Sequence, residues 1–228
     1  MAKQSKRYRA ALKLVEEDRK YELADAVKLL KSFPATKFDQ TVELSVKLGI
    51  DPKNAEQAIR GSVSLPKGIG KTLRVVAFCQ GDNVEKAKAA GAIEVGADEL
   101  IAKVNGGWLD FDVAVATPDM MPKVGRLGRV LGPKGLMPSP KAGTVVPDIA
   151  TAVKEFAGGK IEYRNDDGGN IHAAVGKVSF PEGDLIENVN ALVARIRSQR
   201  PASAKGEFIQ KVVLTCSMGP GIELNIAG

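Results

Sequence analysis

The stretch Thr41-Val-Glu-Leu-Ser-Val-Lys-Leu48 alternates strictly between polar and apolar side chains. Successive side chains of an extended strand point to opposite faces, so this alternation separates a water-facing set from a core-facing set. The apolar set is Val42, Leu44, Val46 and Leu48, and the polar set is Thr41, Glu43, Ser45 and Lys47. Such one-sided patterning is typical of antiparallel sheets. The stretch therefore predicts a half-buried antiparallel strand.

Two later segments alternate in the same way, Lys160-Ile-Glu-Tyr-Arg164 and Lys211-Val-Val-Leu-Thr-Cys-Ser217. Residues 181–200 between them have the pattern of an amphipathic helix, which could cover the apolar side of the sheet and leave its polar side open. The apolar stripe of that helix is predicted to be Ile186, Val189, Val193 and Ile196.

The middle of the chain has a different pattern, in which short β-rich runs alternate with helical stretches from Lys71 to Gly158. Strands are predicted at 72–79 and 111–117, and helices at 83–91, 99–104 and 148–156. Alternation of strand and helix favours a small parallel sheet covered by helices, the doubly wound arrangement.

Because the alternating strands lie on both sides of this middle region, the predicted fold class is α/β (α+β) with two domains. Residues 1–66 and 159–228 would form a discontinuous antiparallel sheet-plus-helices domain, and residues 67–158 an inserted Rossmann-like parallel α/β domain. Two connections then join the domains, and glycine tolerates large backbone rotations. The candidate hinge residues are Pro66, Gly68, Gly70, Gly158 and Gly159. The alternative is that these residues only end helices and strands.

The segment Gly125–Lys141 is rich in glycine, proline and cations, and no carboxylate occurs between Met120 and Pro147. Its turn-forming residues and hydrated charges predict a surface loop outside the hydrophobic core. A concentrated positive field attracts polyanions, of which nucleic acid is the commonest. The cations are Lys123, Arg126, Arg129, Lys134 and Lys141. A solvated charge run without a binding role is the alternative, but such a run would mix its signs.

Composition supports a basic, globular protein: 33 Lys and Arg against 27 Asp and Glu give a net charge of +6, and 44% of the residues are hydrophobic. Cys79 and Cys216 lie far apart in no metal-ligand spacing, which predicts no zinc site and a reducing compartment. Neither a signal peptide nor a membrane-spanning run is expected, so a cytoplasmic protein without cofactor or metal is predicted.

Enzymatic motifs are weak. Gly70-Lys71-Thr72 lacks the earlier glycine of a phosphate-binding loop, and no dinucleotide fingerprint follows a strand. His172 is the only histidine, and no serine or cysteine lies in a recognisable nucleophile motif, so a catalytic triad is not indicated. The carboxylate pairs Asp110 with Asp112 and Asp166 with Asp167 remain as catalytic alternatives, although Asp166 and Asp167 precede Gly168-Gly169 and fit a turn.

Several segments together resemble a known family, that of the bacterial large-subunit ribosomal protein L-one. They are Lys6-Arg-Tyr-Arg9, Ala35-Thr-Lys-Phe-Asp-Gln-Thr-Val-Glu43, Lys47-Leu-Gly-Ile-Asp51, Arg60-Gly-Ser-Val-Ser-Leu-Pro66, Trp108-Leu-Asp-Phe-Asp112, 125–141, Arg164-Asn-Asp166, Ile171-His172, Gly176-Lys177 and Met218-Gly219-Pro220. The resemblance implies two hinged domains, no enzymatic activity and binding to large-subunit ribosomal RNA in the mobile stalk. It also implies a role in releasing deacylated transfer RNA from the exit site and repression of the protein's own operon through its messenger RNA. The free protein is expected to be a monomer, located on cytoplasmic ribosomes when bound.

Carried onto this chain, the resemblance assigns an RNA-binding surface, and the basic segment is expected to supply a secondary, less specific RNA contact. The first is Lys37, Phe38, Thr41, Glu43, Arg164, Asp166, His172, Ser217, Met218 and Gly219, and the second is Arg126, Arg129, Lys134 and Lys141. Thr41, Glu43, Arg164 and Ser217 also lie on the polar strand faces, which supports binding by shape and hydrogen bonds on the open side of the sheet. Two departures are Ser217, where the family usually has threonine, and Asp167, where it usually has lysine.

Two other classes of function remain as hypotheses. One is an enzyme that holds a phosphorylated substrate with the basic segment, and stabilisation by a nucleotide would favour it. The other is a nonspecific chromosome-coating protein, which would bind duplex DNA equally well.

Overall fold

A computed structural model describes residues 4–16, 19–54 and 56–226. The chain divides into two compact units, Met1–Gly70 with Ile161–Gly228, and Lys71–Lys160. The fold class is the predicted one, with an antiparallel sheet in the first unit and a parallel sheet in the second. The divisions fall a few residues later than the predicted boundaries. The segment after Pro66 packs on the first unit, because Asn188 binds Gly68. Gly158 ends α7 and Lys160 binds Glu155 of the same helix, so both residues belong to the second unit.

Helices and strands follow each other in mixed order. The helices are α1 (Lys6–Leu12), α2 (Leu23–Lys31), α3 (Asn83–Ala89), α4 (Asp98–Asn105), α5 (Met121–Val124), α6 (Gly128–Leu131), α7 (Ile149–Ala157) and α8 (Glu182–Ser198). The strands are β1 (Thr41–Leu48), β2 (Arg60–Ser64), β3 (Val75–Phe78), β4 (Glu94–Gly96), β5 (Val113–Ala116), β6 (Lys160–Arg164), β7 (Asn170–Lys177), β8 (Ile209–Cys216) and β9 (Ile222–Glu223). Short 3-10 turns lie at Pro118–Met120, Gly125–Leu127 and Pro140–Ala142.

The first unit is built around β1, which is antiparallel to β7 on one side and to β8 on the other. The order of the sheet is β7-β1-β8-β9. β2 pairs with β6, and an antiparallel bridge between Asn165 and Ile171 connects β6 to β7. The predicted apolar face of β1 is buried and its polar face is open, as the alternation requires.

Helices α2 and α8 lie against each other within the core of the first unit. The predicted stripe of α8 was too narrow. Ile186 is only half-buried, whereas Leu185 and Leu192 are buried together with Val189 and Ile196. A helix that contacts both a sheet and a second helix needs a broader apolar surface than a single row of side chains.

A β-bulge distorts the pairing of β1 with β7, since the register shifts between Val42 and Glu43. Val175 is the extra residue, and its carbonyl accepts a hydrogen bond of 2.8 Å from the side chain of Asn188 on α8. A bulge leaves a backbone group without its partner in the sheet, and a buried group in that position requires another donor. Asn188, which is fully buried, supplies it.

The second unit has the parallel sheet β4-β3-β5, with apolar clusters on both of its faces. The basic segment differs from the predicted loop, since it contains α6 and two 3-10 turns, and Leu127 and Leu131 are buried in one of these clusters. Leucines four residues apart lie on one side of a helical turn, so Arg129 between them is held outward. None of the helices in the described residues is long and apolar enough to cross a membrane.

Candidate RNA-binding surface

The polar side of the four-stranded sheet is uncovered along β1 and β7. It is called the open face below, and its side chains are Thr41, Glu43, Ser45 and Lys47 on β1, and His172 and Ala174 on β7. Helix α8 packs on the opposite, apolar side. The N-terminal segment was not expected near this sheet. Leu12 and Val15 line a cleft together with Val213 of β8. This segment therefore lies beside the open face.

A tight turn formed by Ser217–Gly219, called the 217–219 turn, lies at one end of the open face. The Ser217 hydroxyl accepts a hydrogen bond of 3.1 Å from the backbone N–H of Thr41. The buried side chain of Gln40 accepts one of 3.0 Å from the N–H of Met218. These bonds fix the turn to the start of β1. Threonine, the residue that the resemblance leads us to expect at position 217, carries the same hydroxyl as the serine present here.

Gly219 is required by close packing. A Cβ atom at this position would lie 2.5 Å from the sulfur of Cys216 and 2.9 Å from the ring of Phe33. Contacts that short do not occur between unstrained atoms, so the turn closes only with glycine. The role of Gly219 is therefore to bring the turn close to the sheet, and the neighbouring side chain remains free.

Two large apolar side chains stand exposed at this end of the sheet: Phe38 is 53% exposed and Met218 is 49% exposed. Gln40 lies two residues after Phe38 and binds the backbone of Met218, so both side chains belong to the same region. Exposed aromatic and thioether groups next to polar groups are suited to contact with the faces of bases and riboses.

The strand pairing aligns Arg164 with the open face. Because Asn165 bridges Ile171, the antiparallel register places Arg164 beside His172. Both side chains are exposed. The His172 Nδ1 atom lies 3.0 Å from the hydroxyl of Ser45, which links β7 to β1 across the face. Within the described residues, Arg164 and Lys37 form no ion pair, so both cations are available to phosphate.

Asp166 has a structural role that the other predicted RNA-contacting residues do not have. Its carboxylate accepts hydrogen bonds from the N–H groups of Asn170 at 2.7 Å and Gly168 at 2.9 Å, and from the Asn170 side chain. Led by the Asn170 backbone, these bonds lower the pKa of Asp166 to about 2. Asp166 therefore organises the turn between β6 and β7. Asp167 next to it is exposed.

Sequence reasoning missed two residues here. Gln40 is separated by 178 residues from its partner Met218, so no local pattern could reveal it. Lys177 lies opposite Thr41 in the sheet and donates a hydrogen bond of 2.9 Å to the Thr41 hydroxyl. The Gly176-Lys177 match to the family was the available signal for it.

The secondary contact set lies in the second unit. The side chains of Arg126, Arg129, Lys134 and Lys141 are exposed and have no ion-pair partner among the residues that the structure describes. Lys123 differs, because its ammonium group lies 2.8 Å from the carboxylate of Asp98.

Asp110 and Asp112, the first carboxylate pair considered as catalytic, are engaged by neighbouring cations. Asp112 accepts hydrogen bonds from the Lys71 ammonium at 2.9 Å and from the backbone N–H of Arg74 at 3.0 Å, and the Arg74 guanidinium also binds Asp110. Partial burial disfavours the charged form of Asp112, but its hydrogen bonds from the Arg74 guanidinium, the Lys71 ammonium and the Arg74 N–H outweigh it and hold its pKa well below its usual range. The pair holds the incoming chain segment in place, and its charges are paired with those of Lys71 and Arg74.

The first connection between the units is anchored. The Asn188 side chain accepts a hydrogen bond from the N–H of Lys67 at 3.1 Å and donates one to the carbonyl of Gly68 at 2.9 Å. Gly70 has a φ of +71°, and a Cβ there would lie 2.8 Å from the ring of Phe180. The predicted hinge positions Pro66, Gly68 and Gly70 thus belong to the part held on the first unit.

The second connection is shorter. Gly158 ends α7, and Gly159 follows with a φ of +111°, a value that favours glycine. The next residue, Lys160, forms an ion pair of 2.7 Å with Glu155 of α7. The backbone between α7 and β6 therefore turns at Gly158-Gly159.

Fold and surface together define a class: a protein of two compact units with a polar sheet face suited to RNA. Among the described residues, no group of His, Cys, Asp and Glu side chains could hold a metal ion. The family model for "Ribosomal protein L1p/L10e family" matches residues 30–220. The chain belongs to this family.

Relatives of the chain cover nearly its whole length. "Large ribosomal subunit protein uL1" of Kosmotoga olearia is 53% identical over 99% of this chain and 97% of its own length. The proteins of the same name from Beutenbergia cavernae and Protochlamydia amoebophila are 54% and 50% identical, over 99% of this chain and 94% and 96% of their own lengths. Family membership makes the chain a structural component of the large ribosomal subunit that binds its RNA on cytoplasmic ribosomes, and not an enzyme.

Proposed function

We propose that the open face and the 217–219 turn form the surface on which this chain binds folded large-subunit ribosomal RNA in the mobile stalk. The observation that carries the proposal is the grouping of uncommitted polar and apolar side chains at one end of the open face. Phe38 and Met218 are exposed there, and the buried Gln40 holds the turn that carries Met218.

Polar groups on this surface retain hydrogen-bonding capacity. The Thr41 hydroxyl accepts from Lys177, so its own hydrogen remains free to donate to a phosphate or ribose oxygen. Arg164 and Lys37 add positive charge at the surface. Because hydrogen bonds and shape contribute beside charge, the sheet surface itself accounts for only a moderate salt dependence of binding.

The test is a titration of the full-length protein with a short stalk-RNA fragment. Met218→Asp places a negative charge against the phosphate-rich target, and we expect a loss of about tenfold or more in affinity, since like charges in an interface are strongly unfavourable. Lys134→Ala removes one peripheral cation and should lose less. Met218→Leu, which keeps an apolar side chain, is the control. Equal losses for Met218→Asp and Lys134→Ala would refute the location on the sheet.

The same surface would also bind the messenger RNA of the protein's own operon, which is how the chain would repress that operon. One face accepts one RNA at a time, so stalk RNA should displace a labelled messenger leader competitively. Met218→Asp should weaken both complexes in parallel. Simultaneous binding of both RNAs to one protein molecule would contradict this mechanism.

A role in the release of deacylated transfer RNA would use the second unit. The four exposed cations Arg126, Arg129, Lys134 and Lys141 form a positive surface of the kind that holds a phosphate backbone without reading its sequence. Replacing all four with glutamine should reduce crosslinking of exit-site transfer RNA on assembled ribosomes and leave stalk-RNA binding by the first unit unchanged. Loss of stalk-RNA binding in that variant would assign these cations to the ribosomal RNA contact.

The two connections would act as the hinge. Asn188 holds the chain up to Gly68, and Asp112 binds the Lys71 side chain and the Arg74 backbone, so on the first connection rotation is confined to the backbone between Gly68 and Arg74. Dye labels at Lys28→Cys and Lys86→Cys report the distance between the units by energy transfer. We expect a distribution that changes when RNA binds, and one fixed narrow distance in all states would contradict hinge motion.

A further inference from the structure

The N-terminal helix is strongly basic. Lys6, Arg7, Arg9 and Lys13 lie within and directly after α1, and no carboxylate occurs in residues 4–15. In the part of the chain that the structure describes, none of the four forms an ion pair. Three are exposed and Arg7 is half-buried. A cationic helix without internal partners is unusual for a segment that only contributes to solubility, because solvated surfaces mix both signs.

The helix is attached along the outer side of β8. Ala11 is 2% exposed, and Leu12 lines a cleft with Val213 and Gly221. Further along the sheet, burial raises the pKa of the Cys216 thiol, backbone N–H groups led by that of Met218 oppose the rise, and the charge of Arg7 adds a smaller opposing effect, so Arg7 lies within electrostatic range of the 217–219 turn.

The length of α1 and the length of the β8 segment beside it are similar, as expected for a helix that runs antiparallel to β8. Five helical residues from Arg7 to Leu12 span about 7.5 Å at about 1.5 Å per residue. Three strand residues from Val213 to Cys216 span about 10 Å at about 3.4 Å per residue. The helix therefore runs from the cleft at Val213 towards the turn.

Periodicity separates the cations into two groups. Arg7 lies one helical turn before the buried Ala11 and on the same side of α1. Lys6, Arg9 and Lys13 lie on the other side of the helix and are exposed. An α-helix with its side chains is about 10–12 Å in diameter, so α1 stands as a ridge beside the open face.

We infer that α1 is a lateral wall of the RNA site, whose cations bind the sugar-phosphate backbone of the RNA seated on the open face. The inference rests on the proposed function of that face. Arg7 contacts phosphates next to the 217–219 turn, and Lys6, Arg9 and Lys13 contact those farther up the flank of the RNA. This wall supplies much of the Coulomb attraction that the nearly neutral sheet lacks, and it does not read bases.

The test is the salt dependence of stalk-RNA affinity in the full chain. The variant Lys6→Gln/Arg9→Gln/Lys13→Gln keeps good helix formers and removes three charges. We expect the slope of log Kd against log salt to fall by about 0.7–0.9 for each cation that contacts a phosphate, about 2 to 3 in total. Arg7→Gln should lower the slope further, by about the amount expected for one phosphate contact.

The matched control is Lys28→Gln/Lys53→Gln/Lys205→Gln, which removes the same net charge from exposed positions on α2 and on loops. It should leave the slope nearly unchanged. The charge-conserving variant Lys6→Arg/Arg9→Lys/Lys13→Arg should retain the wild-type slope, because the contact depends on charge and not on the particular cationic side chain. Equal slope changes in the α1 and control variants would overturn the inference, as would an unchanged slope in the α1 variant.

Met218→Asp distinguishes the two proposals. If it abolishes binding while the α1 variant binds as the wild type does, the wall fails and the sheet site stands. If Met218→Asp leaves binding intact, the sheet site fails and the inference about α1 falls with it.

Discussion

Replacement of Asn188 by alanine tests the packing that holds the bulge of β7 and the first connection together. The side chain makes three hydrogen bonds, to Val175, Gly68 and Lys67, at 2.8, 2.9 and 3.1 Å. The Val175 carbonyl would be left buried without a donor, at a cost of about 1–3 kcal/mol. The two partly buried bonds contribute about 0.5–1.5 kcal/mol each.

Alanine regains about 0.5 kcal/mol through its higher helix propensity. The expected destabilisation is therefore about 3 kcal/mol, which at a urea slope of about 2 kcal/mol/M lowers the unfolding midpoint by about 1.5 M. The chain offers separate probes for its units, because all three tyrosines, Tyr8, Tyr21 and Tyr163, lie in the first unit and the single tryptophan, Trp108, lies in the second.

Urea unfolding followed by tyrosine emission should show the shift, and the transition followed by Trp108 should move much less. Asn190→Ala is the matched control, since it replaces an exposed asparagine of the same helix and should change stability by less than about 0.5 kcal/mol. Equal midpoints for the two variants would refute the assignment of Asn188 as the buried anchor.

Three further predictions concern single residues. Gly219→Ala should lower RNA affinity about tenfold or more in the stalk-RNA titration, because relief of the contact with Phe33 moves the turn, and an unchanged affinity would contradict the close-packing argument. Asp166→Asn should flatten the acid side of the stability curve: the pKa of Asp166 is lowered to about 2, so its contribution is full above the unfolded pKa of about 4 and is lost as pH falls towards 2. Thermal melts between these pH values check this, and an unaltered pH dependence in the variant would contradict it. Gly70→Ala and Gly81→Ala both place alanine at positive φ, but only the former also meets a neighbour within 4 Å, so it should lower Tm more; the reverse order would be inconsistent with the packing at Gly70.

The alternation of polar and apolar residues was sufficient to predict β1 and β6 with their bounds, because each strand has one solvent-facing side and one buried side. It could not predict β2, whose sequence Arg-Gly-Ser-Val-Ser is poor in strand-forming residues. Gly61 occupies that strand because Tyr163 and Gln199 approach it closely, a contact that only the folded chain creates.

The candidate surface was partly predictable for the same reason. The polar side of β1 followed from its own sequence, whereas the 217–219 turn depends on Gln40, a partner far away along the chain. In the basic segment the leucines at 127 and 131 carried a helical signal that the glycines and prolines obscured. The position of α1 beside β8 depends on tertiary contacts, which periodicity does not encode.

The central position of β1 has a consequence for synthesis of the protein. Thr41 and its neighbour Lys177 are 136 residues apart, so β1 leaves the ribosome long before either β7 or β8 exists to pair with it. The second unit, Lys71–Lys160, is translated in between and contains its own complete sheet. During translation the nascent chain therefore carries an unpaired strand with two open edges, a state prone to mispairing. The four-stranded sheet of the first unit can form only after the C-terminal strands have left the ribosome.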